Sequence, residues 1–423
     1  MSLKINHNLI EKLATASVVF LLISSEILSI PSALRSMINL LSYIIVALLV
    51  FKQRQRVAYV LTKDIFLILL VVLACLSVFW SASIAHTQET IRALIRSTFL
   101  GIYIASAYTL TEQKSLVIYA ASISMVSSIV AALLFPNYGT DITNNLFVWT
   151  GIYGHKQYLA RFMSIGFCAF LIAFMERNSR KIINLLGLAC AFALIILSTS
   201  KTGLLMTLFA VFVIPIYYLA KQKYRFRVVI LILLTLLTIL ISFIVAFNIE
   251  FIVIDLMGKN LEFNGRLPVW QLAIEKGLEQ PLFGYGYAGF WGSEEASEIL
   301  SLIWGGIDPG IAFHAHSGFV DLFLQLGLVG ILLMMANLLT VLYRVIKLLI
   351  YKQEIHFFWM FQFLIMMLVV NFSEVSTFLA ANNIFWILYV AFCYTSALEM
   401  SRLKKQNNSL ATTNHKNYQT KSV

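Results

Sequence analysis

Apolar residues fall in long unbroken runs between short polar turns, and the runs have the length of a bilayer crossing. A helix spanning the hydrocarbon core needs about 17–25 mostly apolar residues. Twelve such runs can be traced, at about 13–30, 32–51, 64–80, 92–110, 115–135, 158–175, 182–198, 202–220, 228–248, 316–343, 356–372 and 377–400. None shows the alternation and regular turn signals of a membrane β-barrel, and a helix satisfies each backbone amide within its own segment. The pattern predicts an all-α integral membrane protein of about twelve transmembrane helices over residues 1–400. The polar stretch 401–423 is expected to be a disordered cytoplasmic tail.

Two connections on the outer face are long, 136–157 and 249–315, and loops of that kind carry function. In the second, Leu267, Trp270, Ile274 and Leu278 recur at helical spacing after Asn264, a competent N-cap, and Pro281 follows. An amphipathic helix lying near the membrane surface is expected there. Next comes Gly284-Tyr285-Gly286-Tyr287-Ala288-Gly289-Phe290-Trp291, whose glycines let the backbone bend closely. Tyr285, Tyr287, Phe290 and Trp291, with Trp304, offer flat faces for glycan stacking, or else form an interfacial aromatic belt. A second short helix is expected from Glu294 to Trp304.

Composition agrees with the pattern: 60% of residues are hydrophobic and 12% charged, with a mean hydropathy of +0.85, too little polar surface for a soluble globule of this length. The net charge of +11 is mostly topogenic. Basic residues gather at Lys4 and Lys12, between Lys52 and Lys63, at Lys114, at Arg177 to Lys181, at Lys221 to Arg227, at Arg344 to Lys352 and from Arg402 onward. These are the two ends and every second turn, so the positive-inside rule puts both termini in the cytoplasm, and a nucleic-acid partner is excluded. The first run is longer than a signal-peptide core and lacks a clear cleavage site, so it is expected to be retained. Cys75, Cys168, Cys190 and Cys393 lie in apolar runs without paired spacing, which argues against a disulfide framework or a thiolate metal site.

Nine cations fall on the opposite face: Arg35, Arg92, Arg96, Lys156, Arg161, Lys201, Lys259, Arg266 and Lys276. Arg92 and Arg96 are four apart on one helical face, and Arg161 and Lys201 open two other helices at the same level. Each can snorkel singly to lipid phosphate; together with Lys156 they suit a strongly anionic group such as a lipid diphosphate. His316 opens the tenth run, beside Ser317, two residues after His314 and above Asp321. It is either a polar boundary residue or a base able to take a proton from an acceptor hydroxyl.

His316-Ser317, nine residues, Gly327, two residues and Gly330 give the pattern H-[NSQ]-x9-G-x-x-G. With this spacing the chain resembles the bacterial O-antigen ligase and polymerase superfamily. Asn264-Gly265-Arg266 with Trp270, the Gly-Tyr-Gly-Tyr turn, Gly151-Ile152-Tyr153-Gly154-His155-Lys156 and Ser198-Thr199-Ser200-Lys201-Thr202 agree, the last two looking most like the exopolysaccharide polymerase branch. The motifs occupy about residues 151–330.

The resemblance implies a GT-C-like glycosyltransferase in the bacterial inner membrane. It implies transfer of a glycan from undecaprenyl diphosphate, on the periplasmic side, by a metal-independent inverting reaction without a cofactor. It makes His316 and Arg266 catalytic, and it agrees with the charge pattern that reads Lys201, Arg92, Arg96, Arg161 and Lys156 as diphosphate ligands. Lys201 stands where many ligases carry a second arginine, and lacks its bidentate fork. A polymerase accepts on the next repeat unit; a ligase accepts on lipid A-core or a protein. The rivals from other classes are a transporter or flippase, which predicts broken helices and mid-membrane charge, and a noncatalytic scaffold, which needs no outer cations. No Asp-x-Asp cluster lies on the outer side to hold a divalent ion, so activity is expected to survive excess EDTA; loss that magnesium restores would contradict this.

Overall fold

A computed structural model of the chain describes residues 11–12, 15–19, 32–143, 146–177, 180–223, 266–303, 314–373 and 378–419. Most of the run expected at 13–30, all of that at 228–248, and Lys259, Asn264 and Trp304 lie outside the described residues. The helices are α1 Ser32–Lys52, α2 Arg54–Leu61, α3 Ile65–Leu76, α4 Ile84–Ala107, α5 Leu110–Leu134, α6 Lys156–Met175, α7 Lys181–Leu197, α8 Lys201–Phe212, α9 Ile214–Ala220, α10 Arg266–Gly277, α11 Glu294–Ile303, α12 Gly318–Lys352, α13 Ile355–Ser373 and α14 Ile384–Gln419.

Among the described residues seven stretches are long and apolar enough to cross a membrane, or eight if α2 and the segment from α3 to Phe79, bent by 98° at their break, form one span. The chain is therefore a multi-pass, mostly helical membrane protein. The helices expected in the long loop are present as α10 and α11. In α14, 83% of the apolar window is buried, against 17% in α1; α14 is central and α1 turns its side chains to lipid.

Four features refine the expected pattern. The loop at 136–157 contains a short antiparallel hairpin, β1 Thr140–Thr143 with β2 Leu146–Trp149, Thr140 opposite Trp149, an addition to an otherwise helical fold; its Thr, Ile, Phe, Val and Trp residues suit a pleated surface. Helix α4 begins at Ile84 rather than near 92, because 84–91 contains no residue that breaks a helix. Arg92 and Arg96 consequently sit in its third and fourth turns. The last apolar run is helical only from Ile384, after a turn in which Leu379 and Asn382 have positive φ. Finally, α14 runs on through 401–419 to Gln419, since a helix already nucleated propagates readily through residues free of Gly and Pro.

At the end of the bundle carrying Arg344, Asp64 ties three helices. Its Oδ1 accepts from the Leu67 N–H at the head of α3 (3.2 Å) and from Asn337 Nδ2 on α12 (2.8 Å), its other oxygen pairs with Arg344, and Tyr389 of α14 donates to Asn337. Removing one partner from such a buried pair is costly.

Helix α12 is broken. Gly327 has φ 62° and ψ −161°, a region essentially closed to other residues. The hydrogen bonds lost there are remade by the segment 281–286. Leu328 N–H donates to the Pro281 carbonyl (2.8 Å) and Val329 N–H to that of Leu282 (3.2 Å). In return Tyr285 and Gly286 N–H donate to the carbonyls of Leu324 (2.8 Å) and Gln325 (2.9 Å). A Cβ on Gly327 would lie 2.3 Å from the Leu282 carbonyl group. Gly327→Ala is expected to cost about 1–3 kcal/mol in backbone strain alone, read as a lower thermal midpoint in detergent than that of Leu328→Ala, which alters a half-exposed neighbour.

Candidate active site

His316 sits at the head of α12 with φ 52°, where a non-glycine residue is uncommon. Its N–H donates to His314 Nδ1 (3.2 Å), and the two rings meet edge to face at 4.3 Å. Just before it, Ala315 N–H donates to Asp321 Oδ1 (3.1 Å), which also accepts from Trp291 Nε1 (2.7 Å). The Ala315 carbonyl accepts from Trp270 Nε1 (2.7 Å). Trp270 lies one turn after Arg266 on α10, so the helix that Arg266 opens is fastened to the His316 turn. Val269, Ala273, Tyr285, Phe290, Ile299 and Leu324 join Trp291 and Ala315 in a core separate from that of the bundle.

The Gly-Tyr-Gly-Tyr turn wedges between α12 and the start of α4. Ala82 N–H donates to the Tyr285 carbonyl (2.9 Å), Thr87 Oγ1 to that of Tyr287 (2.8 Å), and Tyr287 OH to that of Leu379. Tyr285 and Tyr287 are each 3% exposed and Trp291 8%. The rings expected to stack on glycan are therefore engaged in packing and hydrogen bonds. Burial and the Glu279 carboxylate push the Tyr285 hydroxyl up to about 12.

The outer cations separate into distinct environments. Arg96 is buried, 3% exposed, over the Tyr43 ring at 4.0 Å. Its guanidinium donates to the Asn39 carbonyl (3.1 Å), Ser42 Oγ (2.6 Å) and Asn382 Oδ1 (2.6 Å). Arg92, on the same helix, is exposed and donates to the Gln88 carbonyl (3.2 Å), so the pair does not share one setting. Arg161 is buried, donates to Gln157 Oε1 (2.8 Å) and lines a cleft with Tyr158, Phe162, Asn382, Asn383, Ile384 and Phe385. Asn382 thus lies between Arg96 and the Arg161 cleft. Lys276 is engaged by Glu279 (2.9 Å) and Glu295 (3.0 Å), which raise its pKa, and this pairing joins α10 to α11.

Lys156 and Lys201 open α6 and α8, whose first turns are side by side: a Cβ on Gly203 would lie 2.5 Å from that of Ala160, and Ser164 Oγ donates to the Gly203 carbonyl (2.9 Å). The two motifs around them are caps. His155 Nδ1 accepts from Gln157 N–H (3.3 Å), and Ser200 Oγ accepts from Gly203 N–H (3.3 Å). Lys201 is exposed and Lys156 half-buried. Of Arg266 only the backbone is described. Among the described residues no three His, Cys, Asp or Glu side chains converge as a metal site requires.

Sequence reasoning missed the turn at 378–383, which brings Asn382 to Arg96 and to the cleft and carries the Leu379 acceptor of Tyr287. Its one visible signal is the pair Asn382-Asn383 inside an apolar run.

Residues 186–335 match the family described as O-Antigen ligase, a stretch that includes Lys201, Arg266, the Gly-Tyr-Gly-Tyr turn, His316, Gly327 and Gly330. The chain is also similar to "Exopolysaccharide production protein ExoQ" of Rhizobium meliloti (strain 1021), 26% identical over 292 residues, 65% of this chain and 64% of that protein. The chain thus covers less than two thirds of that relative. Together the matches bear out the resemblance to the O-antigen ligase and polymerase superfamily, on its exopolysaccharide side.

Because Arg96 spans Ser42, Asn382 and the Asn39 carbonyl with one planar fork, Arg96→Lys leaves at least one buried acceptor unpaired. A loss of about 1–3 kcal/mol is expected, measured by thermal unfolding in detergent.

Proposed function

Taking that resemblance as premise, we propose that the chain is an inner-membrane glycosyltransferase that polymerises undecaprenyl-diphosphate-linked repeat units of a surface polysaccharide. In this reading both termini are cytoplasmic, residues 1–400 form twelve spans, and the active site faces the periplasm beneath the loop 249–315. The observation that carries it is the fastening of the Arg266 helix to the His316 turn through Trp270 and Ala315, inside the segment that matches the family. Two elements distant in sequence, the helix that Arg266 opens and the turn that carries His316, adjoin through that hydrogen bond, which supports the reading of Arg266 as the cation and His316 as the base.

The chemistry follows from those two groups. The acceptor hydroxyl oxygen attacks C1 of the donor sugar as its proton passes to His316. The C1–O bond to diphosphate breaks with inversion, and undecaprenyl diphosphate leaves with the electron pair. The diphosphate is already a good leaving group, so the protein's main task is to stabilise the developing negative charge and to align the acceptor. Arg266 takes the first role nearest the reacting atoms. Arg161, Lys156 and Lys201, with the N-termini of α6 and α8 contributing positive potential, hold the rest of the anion, while Arg96, its fork taken by neutral acceptors, fixes Asn382 at the edge of the cleft. Arg92, exposed on α4, meets it at the lipid surface.

A ligase reading is favoured by one observation, the matching family's description as O-Antigen ligase. It differs only in the acceptor, lipid A-core or protein. Purified protein in lipid, given an undecaprenyl-diphosphate-linked repeat unit without added acceptor, is expected to make a ladder of products. His316→Ala and Arg266→Ala are each expected to lower turnover by about 10² to 10³ while still inserting. Transfer that appears only with lipid A-core or a protein added would establish the ligase, and a ladder undiminished in both variants would reject the proposed site.

A further inference from the structure

Ala315 is held by side chains at both of its polar backbone groups. Asp321 Oδ1 accepts its N–H at 3.1 Å and Trp270 Nε1 donates to its carbonyl at 2.7 Å. Its methyl is fully buried, in the small core shared with Tyr285, Phe290 and Trp291. The same Asp321 oxygen takes the Trp291 indole N–H at 2.7 Å, so one buried carboxylate, 2% exposed, joins the head of α12, the residue before His316 and the end of the Gly-Tyr-Gly-Tyr turn. His316 follows immediately at φ 52°. A side chain persists in that sparsely populated conformation only where its surroundings over-determine it. A residue whose N–H and C=O are each held by a side chain provides such a surrounding, because turning either of its two peptide groups leaves an unmet donor or acceptor.

We propose that Trp270 and Asp321 are positioning residues that clamp Ala315, and through it fix His316 in its left-handed conformation at a set distance from the helix opened by Arg266. The inference rests on His316 being the base of the proposed reaction. The clamp explains why the tryptophan sits one helical turn after Arg266: the side chain that anchors the helix and the residue that opens it move together. It also assigns the carboxylate below His316 to the backbone of the preceding residue.

The test uses the full-length protein in lipid nanodiscs, the ladder assay, and NMR of protein carrying ¹⁵N-labelled histidine, with the His316 ring signals assigned by their loss in His316→Ala. Trp270→Phe keeps an aromatic ring, smaller than the indole, and removes the donor; it is expected to lower kcat roughly 10- to 100-fold, as small misplacements of a reacting group do, with KM changed less than about threefold. Asp321→Ala is expected to act likewise. Asp321→Asn keeps an acceptor oxygen and is expected to remain within about threefold of the parent. The His316 ring is expected to give one set of signals in the parent and in Asp321→Asn, and several in Trp270→Phe and Asp321→Ala. If Asp321→Ala fails to fold, Trp270→Phe and Asp321→Asn decide the matter. Unchanged kcat and an unchanged His316 signal in Trp270→Phe would overturn the clamp, as would an Asp321→Asn variant as impaired as Asp321→Ala. A parent protein that makes no product rejects the proposed reaction instead, and the NMR signals then decide the clamp by themselves.

Discussion

The structure around the site depends on how backbone hydrogen bonds are satisfied where α12 is broken. An unmet amide or carbonyl away from water is costly, and a break at membrane depth leaves several. Here the segment 281–286 supplies replacements in both directions, donating to Leu324 and Gln325 and accepting from Leu328 and Val329. One exchange therefore seats the Gly-Tyr-Gly-Tyr turn, fixes where α10 can lie, and sets the head of α12 with His316. Gly327 is required by its own backbone angles, and Gly330 by crowding, since a Cβ there would meet that of Leu326 at 2.4 Å. The glycines of the His-Gly-Gly signature are the fold's means of admitting a loop into a helix.

Much of the helical framework was legible because its signal is strong: long apolar runs, and Pro281 after α10. What was not legible is what depends on partners distant in sequence. The aromatic turn reads as a ligand platform by composition, yet Tyr287 is buried because Thr87 and Leu379, each remote along the chain, converge on it. Arg92 and Arg96 share a helical face by spacing, yet α1 and the turn at 378–383 enclose only the second. The composition of 401–419 carries no information about the helix feeding into it.

For the candidate site, the sequence singled out His316 and Arg266 through spacing and resemblance, and both lie on elements that meet. It identified the cations as a group but not their division into a buried arginine bonded to neutral acceptors, a cleft arginine, and lysines at two helix heads. Asn382 escaped notice because an amide in an apolar run looks like a tolerated polar residue until its neighbours are seen. Lys276 looked free until Glu279 and Glu295 were placed beside it.

Helix α14 starts at the cleft lined by Asn383 and Ile384 and runs 36 residues without interruption to Gln419. At about 1.5 Å per residue that is a rod of roughly 54 Å, gripped over its first half and projecting beyond it. A rod of this kind is a lever: a tilt of a few degrees where it touches the cleft becomes a displacement of several ångströms at its far tip. The cleft residues and the far tip are thus two ends of one continuous hydrogen-bonded rod.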